Sequence, residues 1–215
     1  MRVKGVIRRD PKAPVFEIRD VIAVDGVAVV ALEKIYLMMN KPRGLVTTAA
    51  DEKGRETVYS VLRENDARWV APVGRLDKAS EGLLLLTNDS EWSARIAAPE
   101  THLEKTYHVQ IGKVGDDEFA KRLLRGMESK GEVLRVKRVR FLRAGEKNCW
   151  FEIVLDEGKN RQIRRMMEAM DIETLRLVRV AIGPLQLGSL AKGDYRELTS
   201  EEKHMLDRAM MRKNS

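Results

Sequence analysis

The strongest chemical signal in this chain is one continuous segment, Gly74-Arg75-Leu76-Asp77-Lys78-Ala79-Ser80-Glu81-Gly82-Leu83-Leu84-Leu85-Leu86-Thr87-Asn88-Asp89. It sets a carboxylate, Asp77, in a turn between two apolar strands and flanks it with Arg75 and Lys78. Such a carboxylate stays ionised when an arginine lies within reach. Taken alone, the segment is better explained as a turn-forming Asp bridged to Arg75. Other chemistries have no motif to stand on. There is no Walker loop, no Gly-x-Gly-x-x-Gly, no Cys-x-x-Cys and no Gly-x-Ser-x-Gly elbow. His102, His108 and His204 lack metal-ligand spacing. No metal, nucleotide or flavin cofactor is therefore expected.

The elements around Asp77 must position it. Val70-Ala71-Pro72-Val73 is extended and leads into the turn. Leu83-Leu84-Leu85-Leu86, bounded by Gly82 and Asn88-Asp89, suits a strand buried on both faces. Upstream, Ile35-Tyr36-Leu37-Met38-Met39 is a buried-type strand closed by the turn cluster Asn40-Lys41-Pro42-Arg43-Gly44. Residues 57–63 predict a short helix. Residues 90–98 predict another, with Trp92 and Ile96 stacked four apart and Pro99 as its stop. A strand over 106–111 precedes a helix over 116–124, capped by Asp116 and stopped by Gly126. Strands over 133–142 and 149–155 pair across a Gly-Glu-Lys-Asn turn. In a helix over 160–170, Ile163, Met166, Met167 and Met170 recur at i, i+3, i+4 and i+7. Thr199-Ser200-Glu201-Glu202 is a capping box opening a last helix to about residue 211. Residues 1–34 read as a small appendage, with two short strands over 20–29 around an Asp25-Gly26 turn. Strands and helices are interspersed without regular βαβ units. The fold class is α+β, a mixed, largely antiparallel β-sheet flanked by helices.

Composition bounds the rest. A chain of 215 residues holds one large domain or two small ones. With 43% apolar and 34% charged residues, disorder and collagen-like repeats are excluded. No apolar stretch approaches the roughly 20 residues that span a bilayer. The N-terminus has no secretory h-region. The one cysteine, Cys149, excludes an internal disulfide, and the cytosol is the default compartment. Lysine and arginine number 40 against 33 acids, for a net charge of +7 and a pI near 9.5. That balance attracts polyanions. Between residues 121 and 143, nine cations face only Glu128 and Glu132, and Lys159, Arg161, Arg164 and Arg165 form a second run. A solvated strand face explains these runs as readily as RNA contact does.

Four motifs in a fixed order sharpen this reading. The Asp77 segment resembles the catalytic motif of bacterial ribosomal pseudouridine synthases of the RsuA type. Asn40-Lys41-Pro42-Arg43-Gly44 resembles that family's opening strand-turn, and Lys105-Thr106-Tyr107-His108-Val109 its tyrosine motif. Glu157-Gly158-Lys159-Asn160-Arg161-Gln162-Ile163-Arg164-Arg165-Met166 resembles its arginine motif. Leu175-Arg176-Leu177-Val178-Arg179 and Ile182-Gly183-Pro184-Leu185 resemble its closing strands. The match runs from about residue 35 to residue 198.

The resemblance implies the pseudouridine synthase fold over residues 35–215. Residues 1–34 would be the remnant of an S4-like appendage whose two helices have no room in the chain. It implies Asp77 as the catalytic aspartate, Tyr107 as the tyrosine that stacks on the target base and Arg164 as the arginine that pairs with the aspartate. Leu177 would line the pocket, and Arg75 would hold the RNA backbone in place of the flipped nucleotide. Lys105, Arg161 and Arg165 join them as substrate-binding residues. On a helix with Ile163 and Met167 facing the core, Arg164 lies at the edge of the apolar stripe. From there it can bury its stem and turn its guanidinium toward a semi-buried carboxylate. The implied activity is the isomerisation of uridines in ribosomal RNA to pseudouridine, in the cytoplasm. The implied agent is a monomer acting on ribosomal RNA or an assembly intermediate, without metal, nucleotide cofactor or membrane. Two readings of other classes stand beside it. One is a non-catalytic RNA-binding or ribosome-assembly factor, which has no reason to keep Asp77, Tyr107 and Arg164 together. The other is a metal-dependent RNA hydrolase using Asp51, Asp77 and Asp89.

Overall fold

Turn chemistry organises the first of two units, Met1–Lys34. The computed structural model describes residues 2–3, 5–10, 22–28, 33–48, 51–62, 70–113 and 117–211. In this unit β1 (Arg2–Val3), β2 (Val6–Ile7), β3 (Ile22–Val24) and β4 (Val27–Ala28) pair antiparallel in the order β2-β1-β3-β4. Asp25 and Gly26 both take positive φ, as a two-residue hairpin turn that matches strand twist requires. The outer ends of the expected hairpin, residues 20–21 and 29, lie outside the described residues.

The second unit, Ile35–Ser215, is built on one large sheet. Its elements are β5 (Tyr36–Lys41), β6 (Ala71–Pro72), β7 (Glu81–Thr87), α1 (Ser90–Ala97), β8 (Lys105–Ile111) and α2 (Asp117–Arg125), followed by β9 (Met127–Ser129), β10 (Glu132–Leu134), β11 (Arg138–Ala144) and β12 (Cys149–Leu155). Then come α3 (Gln162–Glu168), β13 (Thr174–Ile182), β14 (Leu185–Gln186), β15 (Tyr195–Glu197) and α4 (Ser200–Met211). The sheet runs β11-β12-β8-β13-β7-β5-β15, with β14 on β13 and β6 on β7. Its strand pairs are antiparallel except β13 and β7, which run parallel.

The leucine run shows why β7 sits in the middle. Side chains of a strand alternate between faces. Leu83 and Leu85 pack with Trp92 of α1 and Leu206 of α4, whereas Leu84 and Leu86 pack with Met39, Val58 and Leu76. All four are fully buried, so both faces of the sheet are covered here. A third apolar cluster joins Val109, Phe151 and Ile153 to Phe119 of α2 and Ile163, Met166 and Met167 of α3. The expected apolar stripe on α3 therefore faces a core.

Local signals set most boundaries. Asp89 caps α1 by accepting the Trp92 N–H at 3.1 Å. The Thr199 capping box forms as expected: Thr199 Oγ1 accepts the Glu202 N–H at 3.2 Å, and the Glu202 carboxylate accepts the Thr199 N–H at 2.9 Å. Gly126 follows α2 at positive φ, while its expected cap, Asp116, lies outside the described residues. The expected strand over 133–142 is split. Lys130 and Gly131 both take positive φ and fold β9 against β10, so the sheet strand starts only at Arg138. The helix expected over 160–170 is shorter, because Arg161 adopts the left-handed conformation and starts α3 at Gln162. Over 57–62 the chain forms a short 3-10 turn, Val58–Val61; residue 63 lies outside the described residues.

Candidate active site

Asp77 lies in the turn between β6 and β7, and that turn is braced from several sides. Thr47 Oγ1 donates to the Leu76 carbonyl at 2.8 Å and accepts the Leu76 N–H at 3.3 Å. The Ser80 N–H donates to the Asp77 carbonyl at 2.9 Å, and the Gly44 N–H donates to the Lys78 carbonyl at 2.8 Å. Beneath the turn sit two buried cations. Lys41, at the end of β5, is fully buried, and its Nζ donates to the carbonyls of Ser80 (2.8 Å), Pro42 (3.0 Å) and Asp77 (3.3 Å). Arg164 Nη2, from α3, donates to the Ala79 carbonyl at 2.9 Å. The backbone oxygens of the turn thus point inward onto positive charge. Burial pushes the Lys41 ammonium down to about 8, against the opposing pull of Asp77 and Glu81. Burial and the neighbouring Arg161 likewise push Arg164 down, and Asp77 pulls it back up.

The Asp77 turn forms one wall of a cleft of about 480 Å³. Among its lining residues are Asp77, Arg75, Lys105, Tyr107, Arg161 and Leu177. Six of the eight positions singled out from the sequence therefore meet in one place. Tyr107 projects from β8 and Leu177 from β13, and these adjacent strands face Val109 to Leu177 and Tyr107 to Arg179. Arg75 is exposed and Leu177 is buried. Lys105 is held below its ordinary pKa by burial first and by the nearby Arg179 second.

Two expectations need correction. The ion pair of Asp77 is with Arg161, at 3.9 Å; Arg164 donates its Nη2 to the Ala79 carbonyl, leaves its Nε without a partner among the described residues, and feels Asp77 only through space. Arg161 precedes α3 in the left-handed conformation and lines the cleft, where its guanidinium lies between Asp77 and Glu168 of α3, to which it donates at 3.1 Å. Arg165 is not at the cleft. It is buried, pairs with Glu132 at 2.6 Å and donates to the Ser129 carbonyl, so it ties α3 to the β9–β10 hairpin. The metal alternative also loses its ligands. Asp51 is held by Arg55 at 2.6 Å, and Asp89 caps α1 while accepting the Tyr36 hydroxyl at 2.8 Å. Among the described residues no group of His, Cys, Asp or Glu is placed to hold a metal, and no helix is long and apolar enough to cross a membrane.

Two buried cations beside the cleft were quoted within motifs but given no role from the sequence. Lys41 was visible as a cation closing a buried-type strand. Arg179 was visible as a charge at an inward position of β13, two residues after Leu177. The basic run over 121–143 is less free than its count suggests. Lys137 and Arg138 both bind Glu104 (3.1 and 2.6 Å), Arg140 binds Glu152 (3.0 Å) and Arg125 binds Glu118 (3.3 Å).

Comparison with known proteins gives this cleft its context. Residues 35–169 match the model of the RNA pseudouridylate synthase family. The chain is 35% identical over 185 residues to ribosomal large subunit pseudouridine synthase B of Bacillus subtilis (strain 168), covering 85% of this chain and 75% of the relative. It is 36% identical over 212 residues to an uncharacterized RNA pseudouridine synthase of Aquifex aeolicus (strain VF5), covering 98% and 84%. Among solved structures, the crystal structure of a pseudouridylate synthase superposes with a TM-score of 0.72 at 30% identity, covering 95% of this chain and 87% of that one.

Proposed function

From the premise that the chain belongs to the RNA pseudouridylate synthase family, we propose that it isomerises one or a few uridines of ribosomal RNA to pseudouridine, as an RsuA-type member. The enzyme is an isomerase acting on RNA. Uracil must leave C1′, turn and reattach through C5, which a stacked base cannot do. The nucleotide is therefore flipped into the cleft. Asp77 acts at the ribose, as nucleophile on C1′ or as the base that takes a ribose proton. Tyr107 stacks on the uracil, Leu177 walls the pocket, and Arg75, at the exposed rim, takes the place of the flipped nucleotide against the RNA backbone. Arg161 is the cation that orients the Asp77 carboxylate, and Lys41 and Arg164 position the turn from below.

The single observation that carries this reading is the convergence of Asp77, Tyr107, Arg161 and Leu177, from four separate elements, on one cleft. A pure RNA binder has no use for that convergence. We read the enzyme as a monomer acting on ribosomal RNA or an assembly intermediate. The isomerisation consumes nothing, which fits the lack of any nucleotide or metal motif and a cytoplasmic setting. The first unit is read as the strand part of an S4-like appendage that adds RNA affinity. The test is to map pseudouridine in ribosomal RNA from cells lacking this chain. One or a few sites should vanish, return with the wild-type gene and stay absent with Asp77→Asn. An unchanged map would refute the proposal.

A further inference from the structure

Arg179 is a buried cation facing the cleft that the roles above leave unused. It is 6% exposed and lines the cleft. Its Nε donates to the Leu83 carbonyl at 2.7 Å, which fixes the plane of the guanidinium. Its Nη2 is buried with no partner among the described residues. Leaving a charged donor buried and unfilled is costly, of order 1–3 kcal/mol or more. Such a group in a cleft lacks a partner that something else must bring. Its position says what that partner is. Arg179 stands directly opposite Tyr107 across the β13–β8 ladder, on the same sheet face as Leu177. Facing residues on neighbouring strands lie about 5 Å apart at Cβ. A flat ring stacked on Tyr107 would bring its edge to the guanidinium. Arg75, at the rim, is exposed, whereas Arg179 is sealed inside; the inner position suits a base and the outer one a phosphate.

We infer that Arg179 donates to a carbonyl oxygen of the flipped uracil and stabilises the base as it leaves the ribose. The inference rests on the isomerase reading above. When the C1′–N1 bond breaks, its electron pair goes to the uracil, which becomes an anion spread over N1, O2 and O4. C1′ is taken up by an Asp77 carboxylate oxygen, or the ribose gives Asp77 a proton that it later returns. With C5 turned toward C1′, the C1′–C5 bond forms as the Asp77–C1′ bond breaks and releases the carboxylate, or as Asp77 returns the proton to the ribose; the C5 proton then passes to water and N1 takes one up. A fixed guanidinium aimed at an oxygen where charge develops needs no reorganisation at that moment. Lys105, close enough to Arg179 to feel its charge, also lines the cleft.

The experiment compares R179M and R179K with wild type in single-turnover reactions on ribosomal RNA fragments. Tritium release from C5 reports normal substrate. Loss of 5-fluorouridine, followed by fluorine NMR, reports a substrate whose base carries negative charge more easily by itself. R179M should slow tritium release about 10²- to 10³-fold, with a smaller loss, about tenfold or less, on the fluorinated RNA. The slope of log affinity against log salt should not change. Equal losses on both substrates would show a structural role and overturn the inference, as would rates near wild type. A slope shallower by about 0.7 would assign Arg179 to a phosphate instead. If R179M does not fold, R179K carries the same comparison of the two losses. Failure of the isomerase reading looks different: the wild-type protein itself would release no tritium.

Discussion

Lys41→Met separates the cost of a buried charge from the service it performs. In the folded protein the ammonium titrates at about 8, against an ordinary value of 10.5. That gap of about 2.5 pH units, at 1.36 kcal/mol each, is about 3 kcal/mol. Between pH 8 and 10.5 the folded state has shed this proton and the unfolded chain still holds it. The unfolded state then binds more protons, so the contribution to stability rises with pH across that window. Methionine keeps the stem but has nothing to titrate. It also leaves the carbonyls of Pro42, Asp77 and Ser80 without a donor, at about 1–3 kcal/mol. Near neutral pH the two effects roughly offset, and the variant should be about as stable as wild type. By pH 10.5 wild type should lead by about 3 kcal/mol more than at pH 7. Urea denaturation of both proteins at steps of pH measures this directly, with other titrating groups cancelling in the difference. The same variant should lose about 100-fold in single-turnover tritium release at pH 7, because a small misplacement of the reacting carboxylate is enough for that. A stability difference that stays flat from pH 7 to 10.5, or full activity in the variant, would refute the claim that a buried ammonium holds this turn.

Asp77→Asn should abolish tritium release while the thermal midpoint falls by less than about 4 °C; the cation it pairs with, Arg161, is 3.9 Å away and the carboxylate is a third exposed, so the pair is worth at most about 1 kcal/mol. A larger fall would mean that the aspartate is chiefly structural. Arg165→Met should cost about 2–4 kcal/mol in denaturation, through the bonds it loses to Glu132 and Ser129, with RNA affinity per folded molecule unchanged. Weakened RNA binding at equal stability would return Arg165 to the RNA surface. Lys137→Gln with Arg138→Gln should leave the salt slope of RNA binding within about 0.7 of wild type, since Glu104 already binds both cations; a drop of about 1.4 would place both on phosphates.

What the sequence revealed follows a physical pattern. β7 was legible because four consecutive leucines bounded by Gly82 and Asn88-Asp89 suit a strand buried on both faces, although their period alone does not exclude a helix. The last helix was legible because its cap is written in residues three apart. Both are local signals. The pairing of Asp77 was misread because Arg161 and Arg164 stand in one basic run, and only the assembled fold decides that one lies near the carboxylate and the other donates to the Ala79 carbonyl. Arg165 looked like its neighbours in a basic run, and only the β9–β10 hairpin folding back on α3 gives it a private partner. Lys41 and Arg179 are buried cations in largely apolar strands. Their oddness was readable, but their partners are carbonyls brought up from distant parts of the chain.

The seam between β7 and β13 has a consequence for how the molecule is made. These two strands meet over two residue pairs, Val178 with Glu81 and Arg179 with Gly82. At Gly82 the backbones approach so closely that a Cβ would overlap the Arg179 carbonyl. On one side of this seam lies the turn bearing Asp77; on the other lie Tyr107 and Leu177. Leu83 and Arg179, bonded across it, are 96 residues apart in the chain. Closing so long a loop is a late and slow event compared with forming the neighbouring antiparallel hairpins. A ribosome that has released the chain only as far as α3 has already delivered Asp77 and Tyr107, yet the nascent protein has no cleft. The cleft is complete only with β13 in place between β8 and β7, since Leu177, Arg179 and Ile182 of that strand line it.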